Sequence, residues 1–232
     1  VITVHDLNFL LYPQYLLPEA RRYYNGQITW AVHRADAIVA DSYATQRDLV
    51  RLLGAAPQRI TVAHLAADER FRVLSESEVD AVLHHYGLSR GYLLFVGVWE
   101  PRKNLPGLLE ALALLRGQGI DVPLVIVGRA GWLYEEIFSK VKALGLASAV
   151  RFLERVPVED LVALYNGAAA LVMPSFYEGF GLPVLEAMQS GTPVIVSDRA
   201  SLPEIVGEAG LVIDPSDPQA IAQACDCLLY TS

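Results

Sequence analysis

The densest chemistry in the chain lies in residues 174–188, Pro174-Ser175-Phe176-Tyr177-Glu178-Gly179-Phe180-Gly181-Leu182-Pro183-Val184-Leu185-Glu186-Ala187-Met188. Gly179 and Gly181 leave backbone amides uncovered, and Pro183 suits the first turn of a following helix. A helix start with free N–H groups and a positive dipole end attracts anions. The amides of Phe180, Gly181 and Leu182 are therefore the expected cradle for a phosphate. Glu186 lies four residues further on, about 6 Å along a helix axis at roughly 1.5 Å per residue. That is roughly the separation between a nucleoside diphosphate's phosphate and its ribose, whose hydroxyls a carboxylate can accept. Glu178 falls on the other side of the cradle, where a sugar would sit.

A second constellation is Gly97-Val98-Trp99-Glu100-Pro101-Arg102-Lys103-Asn104. It follows an apolar run and closes on Asn104, a good helix cap, which puts Lys103 at a strand's carboxyl edge beside another helix start. A third is His5-Asp6, at the end of the first apolar run. A lone His in such a place is most often structural.

These loops need elements to hold them. Residues 92–97, 124–128, 150–153, 170–173 and 193–197 are continuous apolar runs, and amphipathic stretches separate them. Alternation of this kind predicts a parallel sheet covered on both faces, with right-handed crossovers. Such doubly wound α/β sheets bind ligands outside the carboxyl ends of their strands, which selects the loops after Val96, Val127, Met173 and Val196. Residues 1–87 carry further βα units: a strand over 1–4, a helix over 18–34, a strand over 37–40, a helix over 42–53 capped by Ser42, and a strand over 60–63. These are too few to close a domain. Residues 74–90 read as a polar helix and turn joining two lobes, with the boundary near Leu88.

Eighteen basic against 26 acidic residues, a net charge of −8, argue against a nucleic-acid partner. No apolar run reaches the length of a membrane span, and residues 1–20 lack the pattern of a signal peptide. The helix over 18–34 mixes Arg21, Arg22, Tyr23, Tyr24, Trp30 and Arg34. Such a mixture can rest on a membrane surface, but a core-facing helix with a solvated basic edge explains it more simply. The Cys225-x-Cys227 pair finds no completing ligand and reads as two incidental thiols. A first residue other than Met, inside a strand, marks the chain as an expected fragment. Residues 227–232 are expected to be a non-native tail.

The combined string P-S-x-x-E-G-F-G-L-P-x-L-E-A-M, with Glu178 and Glu186 as an E-x7-E pair, resembles the signature of the retaining GT-B glycosyltransferases of the family 4, or group 1, type. The resemblance runs from about His5 to Asp217 and includes Gly191-Thr192-Pro193-Val194-Ile195 and Leu202-Pro203-Glu204. It implies two Rossmann-like domains. Residues 1–87 would be the C-terminal part of an incomplete acceptor-side domain, and residues 88–226 the nucleotide-sugar domain. It implies transfer of a hexosyl unit, with retention, from a nucleoside-diphosphate sugar to a saccharide or lipid-linked saccharide acceptor.

In that family the second Glu holds ribose and the first contacts the donor sugar, roles that fall on Glu186 and Glu178. A Lys at the place of Lys103 neutralises the diphosphate, and a His at the place of His5 faces the donor sugar. Gly179, Phe180, Gly181 and Leu182 would line the donor site. The usual Arg after the strand-ending Gly is Val98 here, so Arg102 is the substitute for its charge. Ala66 and Ala67 also depart from the pattern, as does Glu154 near the base pocket. The Glu100-Pro101-Arg102-Lys103-Asn104 string resembles mannosyltransferases that build bacterial surface polysaccharides, so GDP-mannose is the first donor expected and UDP- or ADP-glucose the next. No metal or other cofactor is expected. The implied location is cytoplasmic, with contact at the inner membrane face as a further expectation. A non-catalytic nucleotide-sugar-binding module and a GT-B epimerase are the rival readings. A Rossmann dehydrogenase is a distant third, for want of G-x-G-x-x-G after the first complete strand.

Overall fold

Runs of consecutive apolar residues become strands covered on both faces. The computed structural model describes residues 1–15, 18–131 and 134–231. In β4 (Tyr92–Val96), β5 (Leu124–Gly128), β7 (Ala168–Met173) and β8 (Val194–Ser197) most side chains are buried. With β6 (Val150–Glu154) and β9 (Leu211–Ile213) they form a parallel sheet in the order β6-β5-β4-β7-β8-β9. Helices α5 (Leu105–Gly117), α6 (Glu135–Ala143) and α10 (Pro218–Thr231) cover one face. Helices α4 (Glu76–His85), α7 (Val158–Gly167), α8 (Leu182–Gln189) and α9 (Leu202–Val206) cover the other. Strand order reverses between β4 and β7, so the crevice of this doubly wound sheet opens where those two strands end.

The first unit holds three parallel strands, β1 (Ile2–Val4), β2 (Ile38–Ala40) and β3 (Ile60–Val62), paired in that order. Around them lie α1 (Asn8–Leu11), α2 (Pro18–Arg34) and α3 (Tyr43–Leu53). Ser42 caps α3 by accepting from the Thr45 amide at 3.0 Å, and Gly54, at φ 63°, ends it in the left-handed conformation. Leu7, Phe9, Ile38 and Leu49 centre the small core.

Two expectations, on α4 and α2, need adjustment. Helix α4, read as a joint between lobes, belongs to the second unit: Val79 and Leu83, with Phe71 before them, are buried in the core under β4 and β7. The polar face of α4 hid two apolar residues four apart, enough for one buried stripe. Separately, helix α10 runs through residues 227–231 of the expected non-native tail, and Leu228 and Leu229 pack against the core; Ser232 lies outside the described residues. Helix α2 is mostly solvent-facing, with Tyr23 and Trp30 exposed and Val32 buried, so the core-facing reading holds for its last turns alone. Among the described residues no helix is long and apolar enough to cross a membrane.

Candidate functional site

The two loops at the switch point are tied to each other. The loop after β4 turns through Pro101, Arg102 and Lys103 into Asn104, whose backbone is left-handed at φ 54°. The Asn104 side chain accepts from the Gly107 amide at 3.3 Å and donates to the Pro215 carbonyl at 2.7 Å. A Cβ on Gly107 would collide with that side chain and displace it from its cap. The loop after β7 meets it through the Phe176 amide, which donates to the Arg102 carbonyl at 2.9 Å.

Glu178 stands between the loops with one cation on each oxygen. Lys103 Nζ donates to Oε1 at 2.7 Å and Arg102 Nη1 to Oε2 at 3.0 Å. Arg102 also donates to Glu100 Oε1 at 2.5 Å and to the Tyr177 carbonyl. Lys103 is 8% exposed and Glu178 7%, so water screens these charges little. Burial alone would push the Glu178 carboxyl upward, but Lys103 and Arg102 outweigh it and hold the group at about 2. Lys103 and Arg102, both read from the sequence as diphosphate-neutralising groups, are thus paired with a carboxylate before any ligand arrives.

The glycine turn leads directly into α8. Gly181 takes φ 124°, and α8 starts at Leu182 with Pro183 behind it. Among the described residues no acceptor meets the amides of Gly179, Phe180, Gly181 or Leu182. Glu186, half-buried on α8, accepts from the Tyr165 hydroxyl at 2.7 Å through Oε2. Burial raises its carboxyl above the ordinary range, the Tyr165 hydrogen bond opposes that, and the charge of Asp68 adds to it.

His5, expected to face the donor sugar, lies beside the glycine turn. Its carbonyl, not its ring, meets the turn: a Cβ on Gly179 would overlap the His5 oxygen. The ring is 76% exposed and its Nδ1 lies 2.6 Å from the buried Asp41 Oδ2, at the end of β2. Together with Asp6, Asn8, Phe9, Tyr24 and Ile28 it lines a cavity of about 320 Å³ on the first unit. Asp6, beside it in sequence, is the residue whose charge reaches the cation cluster. Burial raises its carboxyl, a hydrogen bond from the Asn8 amide and the Arg102 charge lower it, and Glu178 raises it.

Sequence reasoning missed Tyr165 behind Glu186, Asp41 behind His5, and Asp68. Asp41 was detectable, since it follows β2 at the carboxyl edge shared with β1, where His5 stands. Tyr165 sits on α7 in a periodic apolar pattern, and nothing in its spacing points to Glu186. Among the described residues no group of three or more His, Cys, Asp or Glu side chains could hold a metal ion.

The family described as "Glycosyl transferases group 1" matches residues 87–231, and that described as "Glycosyltransferase Family 4" matches residues 1–71. The chain is 39% identical over 224 residues to O-antigen chain mannosyltransferase B of Escherichia coli, covering 96% of this chain and 59% of that protein. It is 34% identical over 233 residues to D-inositol 3-phosphate glycosyltransferase of Corynebacterium urealyticum, covering 96% and 54%. The chain thus spans somewhat more than half the length of these relatives. Among solved structures, Anabaena Alr3699/HepE in complex with UDP and glucose superposes with a TM-score of 0.82 at 22% identity, over 97% of this chain and 61% of that one. Sucrose-phosphate synthase from Thermosynechococcus elongatus superposes with a TM-score of 0.82 at 26% identity, over 99% and 58%. The two parallel α/β units are those of the GT-B fold, and the chain belongs to the group 1 glycosyl transferase family.

Proposed function

We propose that the chain forms the donor-binding part of a retaining glycosyltransferase that moves a hexosyl unit, with mannosyl the first choice, from a nucleoside-diphosphate sugar to a saccharide hydroxyl in cell-surface polysaccharide synthesis. The observation that carries this reading is the Lys103–Glu178–Arg102 cluster at the strand-order switch point, beside a turn whose amides meet no acceptor among the described residues. A diphosphate entering there competes with Glu178 for both cations. Held at about 2, Glu178 stays ionised across neutral pH and turns to accept from a donor-sugar hydroxyl. Glu186 receives the ribose hydroxyls, with the Tyr165 hydrogen bond occupying one of its oxygens.

During transfer the anomeric C–O bond breaks with its electron pair going to the diphosphate. The acceptor oxygen bonds to that carbon on the same face, and the acceptor proton passes to the leaving phosphate. Charge grows on the leaving group, so Lys103, Arg102 and the turn amides stabilise the transition state more than the bound donor. This arrangement supplies the neutralising charge from the chain itself, and the proposal requires no metal. An Escherichia coli relative named as an O-antigen chain mannosyltransferase supports mannose as the sugar. A cytoplasmic site of action is part of the same proposal.

The test is a panel of GDP-mannose, UDP-glucose and ADP-glucose against the full-length protein, followed by thermal shift and by NMR of the anomeric product. GDP-mannose should stabilise most and yield an α-linked product. No stabilisation by any nucleotide sugar would end the reading, and an epimerised sugar in place of a transferred one would replace it.

A further inference from the structure

The turn that presents the amides is held by hydroxyl groups, and two of the three come from the other unit. Ser201 Oγ lies 2.9 Å from the Glu178 carbonyl and 2.5 Å from the Phe180 carbonyl. Ser42 Oγ, from the first unit, donates to the Gly179 carbonyl at 2.7 Å, and Thr45 Oγ1 lies 3.3 Å from the same oxygen and 3.2 Å from the His5 carbonyl. In a trans peptide the carbonyl and the next N–H point opposite ways. Three consecutive carbonyls anchored on hydroxyls therefore turn the N–H groups of Gly179, Phe180 and Gly181 away from those hydroxyls.

A second link joins the same two units. Glu204 on α9 takes the Tyr43 amide on Oε1 at 2.7 Å and the Ala44 amide on Oε2 at 3.2 Å, and His64 Nε2 lies 2.8 Å from Oε1. A carboxylate at the start of α3 meets two unsatisfied amides and the positive end of the helix dipole. The His64 ring also packs 6.0 Å from Phe180 of the turn. One helix start in the first unit thus grips both the donor turn and the helix that follows β8.

We propose that Ser42, Thr45 and Glu204 are positioning residues that form the phosphate cradle from across the two units, so that the units must be clasped together for the turn to present its amides. This rests on the reading that the turn binds a diphosphate. Hydrogen-bond donation to Gly179 preorganises the turn, and the clasp of Glu204 on α3 brings the donors of that bond into place.

The test uses calorimetric binding of GDP and UDP to the full-length protein and to Ser42→Ala, Ser42→Thr, Thr45→Val and Glu204→Gln variants, with thermal melting recorded for each. Loss of one such bond is expected to weaken the better-bound nucleotide roughly three- to tenfold in Ser42→Ala and Glu204→Gln. Ser42→Thr, which keeps the hydroxyl, should restore it. In turnover the donor KM should rise by the same factor while kcat changes less. If Ser42→Ala does not fold, Thr45→Val and Glu204→Gln carry the comparison. Wild-type nucleotide affinity in the folded variants overturns the proposal. Failure of the unaltered protein to bind either nucleotide overturns the donor-site reading beneath it.

Discussion

Replacing Glu178 with Gln keeps the side chain's shape and removes the charge that Lys103 and Arg102 hold. The folded carboxyl sits at about 2 against an ordinary 4.5. At about 1.36 kcal/mol per unit, ionised Glu178 contributes roughly 3 kcal/mol to the folded state at neutral pH. Because the folded value is depressed, that contribution is fully present above 4.5 and is lost as pH falls through about 2. Linkage places it near 2 kcal/mol at about pH 3.5. Urea unfolding of both proteins at a series of pH values from neutral downward measures the difference directly. The gap should be largest at neutral pH and narrow steadily below about pH 4.5. A gap that does not change with pH would show that the charge on Glu178 is not what the two cations stabilise.

Three further outcomes follow from the same geometry. The Glu178→Gln variant should bind a free nucleoside diphosphate more tightly than the parent, by calorimetry, because its cations no longer have a competing carboxylate, while sugar transfer falls; weaker binding would contradict the competition. Glu186→Ala should weaken donor binding by roughly 10- to 100-fold, the range for losing charge-assisted hydrogen bonds, and unchanged affinity would remove the ribose assignment. Tyr165→Phe deletes the hydrogen bond that lowers the Glu186 carboxyl. The acid limb of the donor-affinity profile should therefore move to higher pH, and an unmoved limb would separate Tyr165 from Glu186.

Much of this site was legible because it lies on local rules. Apolar runs ending in Gly97 and Pro174 located the carboxyl edge of the sheet, and Asn104, Pro183 and Ser42 marked helix starts with their own side chains or rings. What escaped depends on contacts between distant parts of the chain. Arg102 was read as a cation awaiting a phosphate, yet the fold brings Glu178, 76 residues away, onto it. The ring of His5 turned to Asp41 because the parallel register of β1 and β2 puts their ends side by side. Glu204 appeared only as part of a motif, and its partners, Tyr43, Ala44 and His64, are all in the other unit. The last turns of α10 fall in the expected non-native tail, and there Leu228 and Leu229 pack against the core.

The most direct measurement is a crystal structure of the full-length protein with GDP-mannose or its non-hydrolysable analogue. It should show the diphosphate against Lys103 and the amides of Phe180, Gly181 and Leu182, with ribose hydroxyls on Glu186 and Glu178 released toward the sugar. A nucleotide bound elsewhere, with the Lys103–Glu178 pair still closed, would contradict the account.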